Sequence, residues 1–268
     1  RGSEANAVRM EIDGIAVNDP TNNAGAAYQL QYLYQAWHES IQVAKGPSST
    51  GFGAGALSGV VGIQLLRPEF ESARVEMEST LEINGLEHFA AGANLGNPNT
   101  AARIGVSRAD ESGLFPGHRY RNHSGMLKVV HETAGGDHAF LMSYWQGRTE
   151  RAALPDDSGG PEYARSEELA IRDTADHGLS LRHRLRMGEN LFWTSTAGVY
   201  DIQNDLLSPP VPPGARNPAG VPGYEQDDSF TRYQLRSRIL SSGGSGWVYA
   251  GGVSATGEAG SGTGRYQF

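Results

Sequence analysis

The histidines are the first residues to consider for chemistry, because imidazole is both a metal ligand and a general base. The chain contains eight of them. No two are spaced four residues apart on a predicted helix, the motif H-E-x-x-H is absent, and no carboxylate cluster with ligand spacing accompanies His118 and His123. We therefore predict no metal site and interpret these histidines as solvent-exposed loop residues.

The motifs of common enzymes and of dinucleotide binding are also missing. G-x-S-x-G is absent, and no Ser, His and Asp set can be assembled from sequence order. Residues 51–56 match G-x-G-x-x-G/A with Glu71 20 residues beyond Gly51, but residues 45–50 separate this stretch from the preceding strand and a further strand follows it. We predict no catalytic residue, no cofactor and no enzymatic activity.

Arginine is spaced more regularly than any other charged residue. Two predicted strands each carry three arginines on one face, namely Arg182, Arg184 and Arg186 on one and Arg232, Arg236 and Arg238 on the other. Such rows can attract an anionic substrate or pair with carboxylates of neighbouring elements. We favour pairing, because it is the common arrangement for charges in a filled interior, with Glu76, Glu78 and Glu82 as candidate partners.

Composition points to a folded, turn-rich β protein. The 268 residues are 38% apolar, and glycine and proline together contribute 49 of them, which is typical of β structure rather than of helical bundles. The absence of cysteine excludes disulfides and thiolate metal sites. A net charge of −8 without a basic cluster argues against nucleic-acid binding.

From residue 73 onward, apolar and polar residues alternate with the period of two that strands show. The clearest case is residues 179–187. The alternation predicts about nine strands joined up-and-down, within residues 75–83, 86–95, 100–108, 120–133, 138–151, 179–187, 189–201, 232–239 and 246–257.

The predicted connections alternate in length. Residues 84–85, 135–136 and 242–244 are tight turns, whereas residues 109–119, 152–166 and 206–228 are long connections. Short turns at one rim and long loops at the other are typical of an outer-membrane β-barrel, and a soluble β-sandwich or propeller is the alternative. No apolar run approaches the ~18 residues that a membrane-spanning helix needs.

The first 68 residues differ from the rest. Strands are predicted at residues 8–12, 40–44 and 60–66, with a tight turn at Asp13-Gly14 and a short helix over residues 29–39. This segment is predicted to be a compact, mixed α+β unit.

Its motifs carry a resemblance. In chain order they are Arg1-Gly2; Ile12-Asp13-Gly14 with residues 17–20 (VNDP); and residues 39–49 (ESIQVAKGPSS), followed by Gly53, Ala56 and residues 59–63 (GVVGI). In order and spacing, these motifs resemble the plug domain of TonB-dependent outer-membrane receptors. Two positions depart from the family pattern. Gln42 stands where Glu is usual, and Gly62 stands where Asn is usual.

The resemblance implies a mainly β fold, with a partial α+β plug domain in residues 1–68 and the first antiparallel strands of a large transmembrane β-barrel in residues 69–268. It implies that the chain is a fragment, because a barrel of this class has about 22 strands and the segment gripped by the TonB complex would precede Arg1. Leucine, tyrosine and isoleucine on the arginine-bearing strands would face outer-membrane lipid: Leu179, Leu181, Leu185, Tyr233, Leu235 and Ile239. The arginine rows would face the lumen.

The function implied by the resemblance is TonB-dependent import of a scarce nutrient across the bacterial outer membrane. A ferric siderophore is the expected ligand. The alternatives are cobalamin, haem, an oligosaccharide, or a non-transporting adhesin or phage-attachment protein. Candidate ligand contacts combine loop aromatics and arginines with the arginine rows, namely Tyr28, Phe52, Arg119, Tyr163, Arg182, Arg184 and Arg236, beside other residues of the same loops, Phe115, His118 and Tyr224.

Overall fold

The computed structural model describes residues 7–19, 37–46, 56–82, 85–112, 119–152, 169–210, 213, 219–242 and 248–267. Thirteen strands form two sheets in these ranges, and the same ranges contain no α-helix. The predicted mainly β fold is therefore confirmed.

The small sheet contains β1 (Val8–Ile12), β2 (Ile15–Ala16), β3 (His38–Lys45) and β4 (Gly59–Leu65) in the order β2-β1-β4-β3. β1 runs parallel to β4, and the other pairs are antiparallel. Asp13 and Gly14 join β1 to β2 with φ of 46° and 89°. Positive φ at both positions is what a two-residue type I′ hairpin turn requires, so the predicted Asp-Gly turn is confirmed.

The predicted helix over residues 29–39 is wrong at its C-terminal end. His38 and Glu39 begin β3, and His38 pairs with Leu65 at the end of β4. Strand pairing with β4 outweighs the local helical pattern here, as tertiary context often does. Residues 29–36 lie outside the described part of the chain.

The large sheet contains nine antiparallel strands in sequence order, with β5 and β13 at its two edges. This confirms the predicted up-and-down arrangement. The strands are β5 (Ala73–Leu81), β6 (Leu86–Gly96), β7 (Thr100–Ser112), β8 (Arg119–Thr133), β9 (Gly136–Ala152), β10 (Leu169–Arg186), β11 (Leu191–Ser208), β12 (Gly223–Ser242) and β13 (Val248–Gln267).

Several strands extend beyond their predicted ends. β10 begins ten residues before Leu179, and β11 and β12 leave only residues 209–222 of the predicted 206–228 connection. Residues 109–112 likewise belong to β7. The added segments are rich in Asp, Arg and Gln, so a search for apolar alternation does not detect them, although their backbones remain hydrogen-bonded to neighbouring strands.

The connections divide between two rims of the large sheet. The long-loop rim carries residues 113–118, 153–168 and 209–222, and the short-turn rim carries residues 97–99, 134–135, 187–190 and 243–247. The predicted separation of long and short connections therefore holds, with one exception. The connection between β5 and β6, residues 82–85, is short but lies at the long-loop rim.

The small sheet packs against one face of the large sheet, which we call the inner face; the opposite face is the outer face. A shared core lies between the sheets, formed by Met10, Ile15, Val17, Trp37, Ile63, Leu65, Met126, Leu141, Tyr200, Ile202 and Phe230. Alternation along each strand sends the remaining large apolar side chains outward. Leu181, Tyr233 and Leu235 are 56–58% exposed on the outer face, as predicted. Among the described residues, no helix has the length and apolar character needed to cross a membrane.

Candidate functional site

The contact between the small sheet and the inner face contains a buried ion pair. Glu11 of β1 accepts hydrogen bonds from both terminal nitrogens of Arg236 of β12, at 2.5 and 3.2 Å. Each side chain is only 6% exposed. The two buried charges satisfy each other, so removing Glu11 would leave the Arg236 charge without compensation.

Arg9 places a second guanidinium on the same carboxylate. Its Nε donates to Glu11 Oε1 at 2.7 Å. Burial lowers the pKa of Arg9, Glu11 opposes that shift, and Arg236 and Arg232 add to it. Glu11 is thus the carboxylate that compensates two arginines, one from each sheet.

The β1–β2 hairpin is attached to β12 by hydrogen bonds between its backbone and side chains of that strand. The Ala16 amide donates to Gln234 Oε1 at 3.1 Å, and Arg232 donates to the Ala16 carbonyl oxygen at 3.0 Å. Arg232 also pairs with Glu258 of β13 at 2.8 Å. Side chains of the large sheet therefore form hydrogen bonds with the edge of β2 that has no neighbouring strand, as such a strand would.

The Asp13-Gly14 turn connects to a different part of the inner face. Lys128 of β8 lies 3.0 Å from Asp13 Oδ2 and donates to the Leu65 carbonyl oxygen at 2.7 Å. The other carboxylate oxygen of Asp13 accepts from the Leu65 amide at 3.3 Å. Asp13 and Lys128 are both buried, so this is a second buried ion pair between the sheets. It gives the aspartate of the turn motif a role that the sequence alone did not show.

Two glycines of the large sheet allow close apolar contact. A Cβ on Gly105 of β7 would lie 1.2 Å from Trp37 Cζ3, and one on Gly198 of β11 would lie 2.4 Å from Ile15 Cδ1. Any side chain at these positions would displace the residue packed there. The interface thus combines a small apolar core with buried polar contacts around it.

The arginine rows lie on the inner face, as predicted. Arg236 is occupied by Glu11, and Arg182 lies 3.5 Å from Asp137 of the adjacent strand. Arg184 is exposed, stacks over Phe192 at 4.6 Å, and lies toward the short-turn rim. Of the suggested acidic partners, Glu76 pairs instead with two other arginines, Arg74 and Arg103.

Arg119 lies on the outer face, away from the small sheet. It begins β8 and forms a two-point ion pair with Asp110 of β7, with distances of 2.7 and 3.1 Å. This placement differs from the loop position assumed in the sequence analysis. The predicted contacts Tyr28, Phe52 and Tyr163, together with Phe115 and His118, lie outside the described residues.

Polar and aromatic residues cover the inner face between the small sheet and the long-loop rim. Tyr120, Arg172 and Gln226 share one cross-strand row, and Asn122, Thr174 and Asn204 share the next. Tyr224 lies beside Tyr266, with ring centroids 5.0 Å apart. Of this group, only Tyr224 was among the predicted ligand contacts. Tyr120 already lay in the predicted strand over residues 120–133, and extending the strand predicted at residues 179–187 to the true start of β10 would have included Arg172.

The interpretation of the histidines as loop residues is wrong throughout the described part of the chain. The histidines there all lie on strands, namely His38, His88, His123, His131, His138, His177 and His183. Among the described residues, no group of three or more histidine or acidic side chains is arranged to hold a metal ion.

Comparison with known proteins gives a family match for the N-terminal part of the chain and a fold match for nearly all of it. Residues 1–60 match the model of the TonB-dependent Receptor Plug Domain. No curated protein sequence matches the chain.

Solved structures match over nearly the whole chain. They include the siderophore receptor PiuA of Acinetobacter baumannii (14% identity, TM-score 0.73, covering 96% of this chain and 39% of that one) and the open form of the ferric-catecholate import receptor Fiu of E. coli K12 (13%, 0.74, 97% and 43%). The copper transporter OprC also matches, at 15% identity and a TM-score of 0.65, over 96% of this chain and 39% of its own.

The chain spans about two fifths of the length of these proteins. At such identities the likeness establishes the fold. Together with the plug-domain match it indicates the bacterial outer membrane as the location. The chain therefore carries a TonB-dependent receptor plug domain and has the fold of the plug and adjoining barrel strands of TonB-dependent outer-membrane receptors.

Proposed function

We propose that the chain forms the plug and nine wall strands of a receptor that imports a scarce nutrient across the outer membrane with energy from the TonB complex. In this proposal the small sheet is part of the plug and the large sheet is part of the barrel wall. The outer face contacts lipid, and the long-loop rim faces the outside of the cell.

The observation that carries this proposal is the composition of the interface between the sheets. Its two buried ion pairs, Glu11–Arg236 and Asp13–Lys128, and the hydrogen bonds at Ala16 are strong while water is excluded. Once water enters the interface, it can replace each of these contacts, because a charged or amide group forms hydrogen bonds with water that are nearly as favourable as those with its protein partner. Such an interface holds a plug at rest and still allows a pulling force to release it.

We infer that the ligand is a ferric siderophore. PiuA and Fiu are named as siderophore and ferric-catecholate receptors, whereas OprC, with the same fold, is named as a copper transporter. The inner face below the long-loop rim presents phenol rings and a guanidinium, at Tyr120, Tyr224 and Arg172, which suit a bulky anionic chelate. The predicted contacts Tyr28, Phe52 and Tyr163 remain part of this proposal.

Arg182 and Arg236 serve in this proposal as paired wall residues rather than as ligand contacts. Each already has a carboxylate partner, Asp137 and Glu11 respectively. Arg184 lies toward the short-turn rim, far from the entry side. Arg119, on the outer face, is not a ligand contact either.

The test of the function is uptake of labelled ligand by cells that make the intact receptor. Ferric catecholate and hydroxamate chelates, haem, cobalamin and an oligosaccharide are compared with and without proton-motive force. We expect accumulation of a ferric chelate that stops when the force is removed. Energy-independent uptake would indicate a passive pore, and binding without uptake would indicate an adhesin or phage receptor.

The ligand-facing surface is tested separately by changing Arg172 to methionine. We expect at least a tenfold loss of affinity for the imported chelate, because a guanidinium that pairs with a ligand anion is lost. Arg119→Met on the outer face is the matched control and should bind normally. Equal affinities in the two variants would remove Arg172 from the site.

A further inference from the structure

Three histidines form a continuous row across the outer face. His131 of β8 is directly opposite His138 of β9, and His138 is directly opposite His183 of β10. Their neighbours Val130 and Ala139 point inward and are buried. Thr100, Ser195 and Ser237 extend the same row on either side.

The row lies close to the short-turn rim, with apolar residues on both sides of it. Toward the long-loop rim, the next two cross-strand rows, at Leu181 and Leu179, contain only apolar side chains from β5 to β13 apart from Tyr233 and Gly257. Toward the short-turn rim, Leu185, Trp193 and Ile239 share the following row. His183 is three residues from the end of β10 at Arg186, and His138 is exposed.

His138 and His183 approach each other closely. Their Nδ1 atoms are 2.8 Å apart and their ring centroids 4.4 Å apart. In a pair of neutral rings, one Nδ1 carries a hydrogen and the other offers its lone pair. His131 is stacked farther away, with centroids 6.4 Å apart, and its Nδ1 is bonded to Thr100 Oγ1 at 2.8 Å.

We propose that His138 and His183 bind one divalent transition-metal ion, Zn²⁺ or Cu²⁺, through their two Nδ1 atoms, with water completing the coordination. Nitrogens that share a tetrahedral Zn²⁺ at about 2.05 Å lie about 3.3 Å apart, so the present separation must open by about 0.5 Å. Rotation of two surface side chains supplies that movement. The shared hydrogen moves to Nε2 of the same ring, which exposes both lone pairs without a net change in protons.

Such an ion would join β9 to β10 near the short-turn rim. Trp193 supports the site from the next strand, because its ring meets His183 edge-on at 5.6 Å and its Nε1 donates to Ser237 Oγ at 2.7 Å. These contacts limit the orientations of His183. The proposal rests on the contacts of β8–β11 and is independent of what the receptor imports.

The test is metal binding by the intact, untagged protein in detergent micelles. Calorimetry with Zn²⁺ should show one ion per protein, and both His138→Asn and His183→Asn should weaken binding at least tenfold. The Cu²⁺ form should show two equivalent nitrogen ligands by electron paramagnetic resonance. Circular dichroism of each variant checks that it has folded.

Two further variants make the assignment specific. His177→Asn changes an outer-face histidine of the same strand that contacts Tyr144 instead, and it should bind Zn²⁺ normally. His131→Asn should also retain affinity, within about threefold, because its Nδ1 is not part of the pair. No Zn²⁺ binding by the unchanged protein, a single nitrogen ligand, or a tenfold loss in His131→Asn would overturn the proposal.

Discussion

Changing Glu11 to glutamine would remove the carboxylate that lies between two guanidinium groups while preserving its shape. Glutamine keeps one acceptor oxygen but replaces the other with an NH2 group, and it removes the negative charge that Arg236 and Arg9 now contact at 2.5 and 2.7 Å. Both partners in the Glu11–Arg236 pair are 6% exposed, so solvent screens them little. Breaking a buried pair from one side costs about 3–5 kcal/mol.

That cost should appear as faster local opening of the β1–β2 hairpin. At 1.4 kcal/mol for each tenfold change, amide exchange in this hairpin should accelerate between about a hundredfold and a few thousandfold. The measurement is hydrogen exchange by mass spectrometry on the intact receptor in detergent, following the peptide that contains Ala16. Peptides of β9 and β10 serve as an internal reference, because the change does not touch them.

Two comparison variants make the test quantitative. Arg236→Met should accelerate exchange less than Glu11→Gln, because Glu11 would keep its contact with Arg9. Glu132→Gln breaks an ion pair with Arg67 that is 37–47% exposed, so it should cost at most about 1 kcal/mol, or less than tenfold. If Glu11→Gln opened the hairpin no faster than Glu132→Gln, the buried pairs would not hold the two sheets together.

Three further predictions concern single positions. Gly105→Ala should destabilise the protein by at least 1–3 kcal/mol because its Cβ would overlap Trp37, whereas Gly125→Ala, with no contact closer than 3.6 Å, should be tolerated; equal denaturation midpoints would contradict this. Burial lowers the pKa of His38 below its ordinary 6.5, so the unfolded state binds the proton first and the stability of β3, followed by amide exchange, should fall as pH drops below about 6.5. A pH response that persists in His38→Phe would exclude this cause. Leu179→Arg, near the middle of β10, should cost about 2–4 kcal/mol in lipid vesicles, and a cost below 1 kcal/mol would show that the outer face does not meet lipid.

Much of the architecture could be predicted from local patterns in the sequence. Alternating apolar residues predicted nine antiparallel strands, and Asp13-Gly14 predicted a hairpin turn that the structure confirms. These features depend on residues close in sequence, where the periods of strands and the dihedral preferences of turns act directly.

The contacts between the two sheets could not be predicted from local sequence patterns. Glu11 and Arg236 are separated by 225 positions, and nothing local marks them as partners. Lys128 follows the strand alternation but gives no sign that it reaches Asp13. The clear alternation of its strand correctly predicted that Arg236 lies on the inner face. It did not predict that the carboxylate paired with Arg236 is that of Glu11.

Errors of face and register came from the strand ends. Arg119 was assigned to a loop because the charged end of β8 has no apolar alternation, and its true position points outward. The turn between β8 and β9 lies at residues 134–135, one position before the predicted one. A shift of one position in a turn changes the register by two, which would separate His131 from His138.

The proposed function depends on movement of the plug against the wall, and a disulfide can prevent that movement. A Cβ on Gly198 would lie 2.9 Å from Ile15 Cγ1. The Cβ atoms of residues 15 and 198 are therefore at most about 4.4 Å apart, within the range of a disulfide. The chain contains no cysteine, so an Ile15→Cys, Gly198→Cys pair can form only the intended bond within it.

The most direct measurement is energised uptake of the labelled ferric chelate by cells carrying this double variant, before and after reduction. Mass spectrometry of the linked peptides confirms the disulfide, and the oxidised Ile15→Cys single variant is the control. We predict that oxidation abolishes uptake without weakening ligand binding, and that a reductant restores it. Normal uptake by the fully oxidised protein would contradict the account, because the plug would then not need to leave β11 for transport.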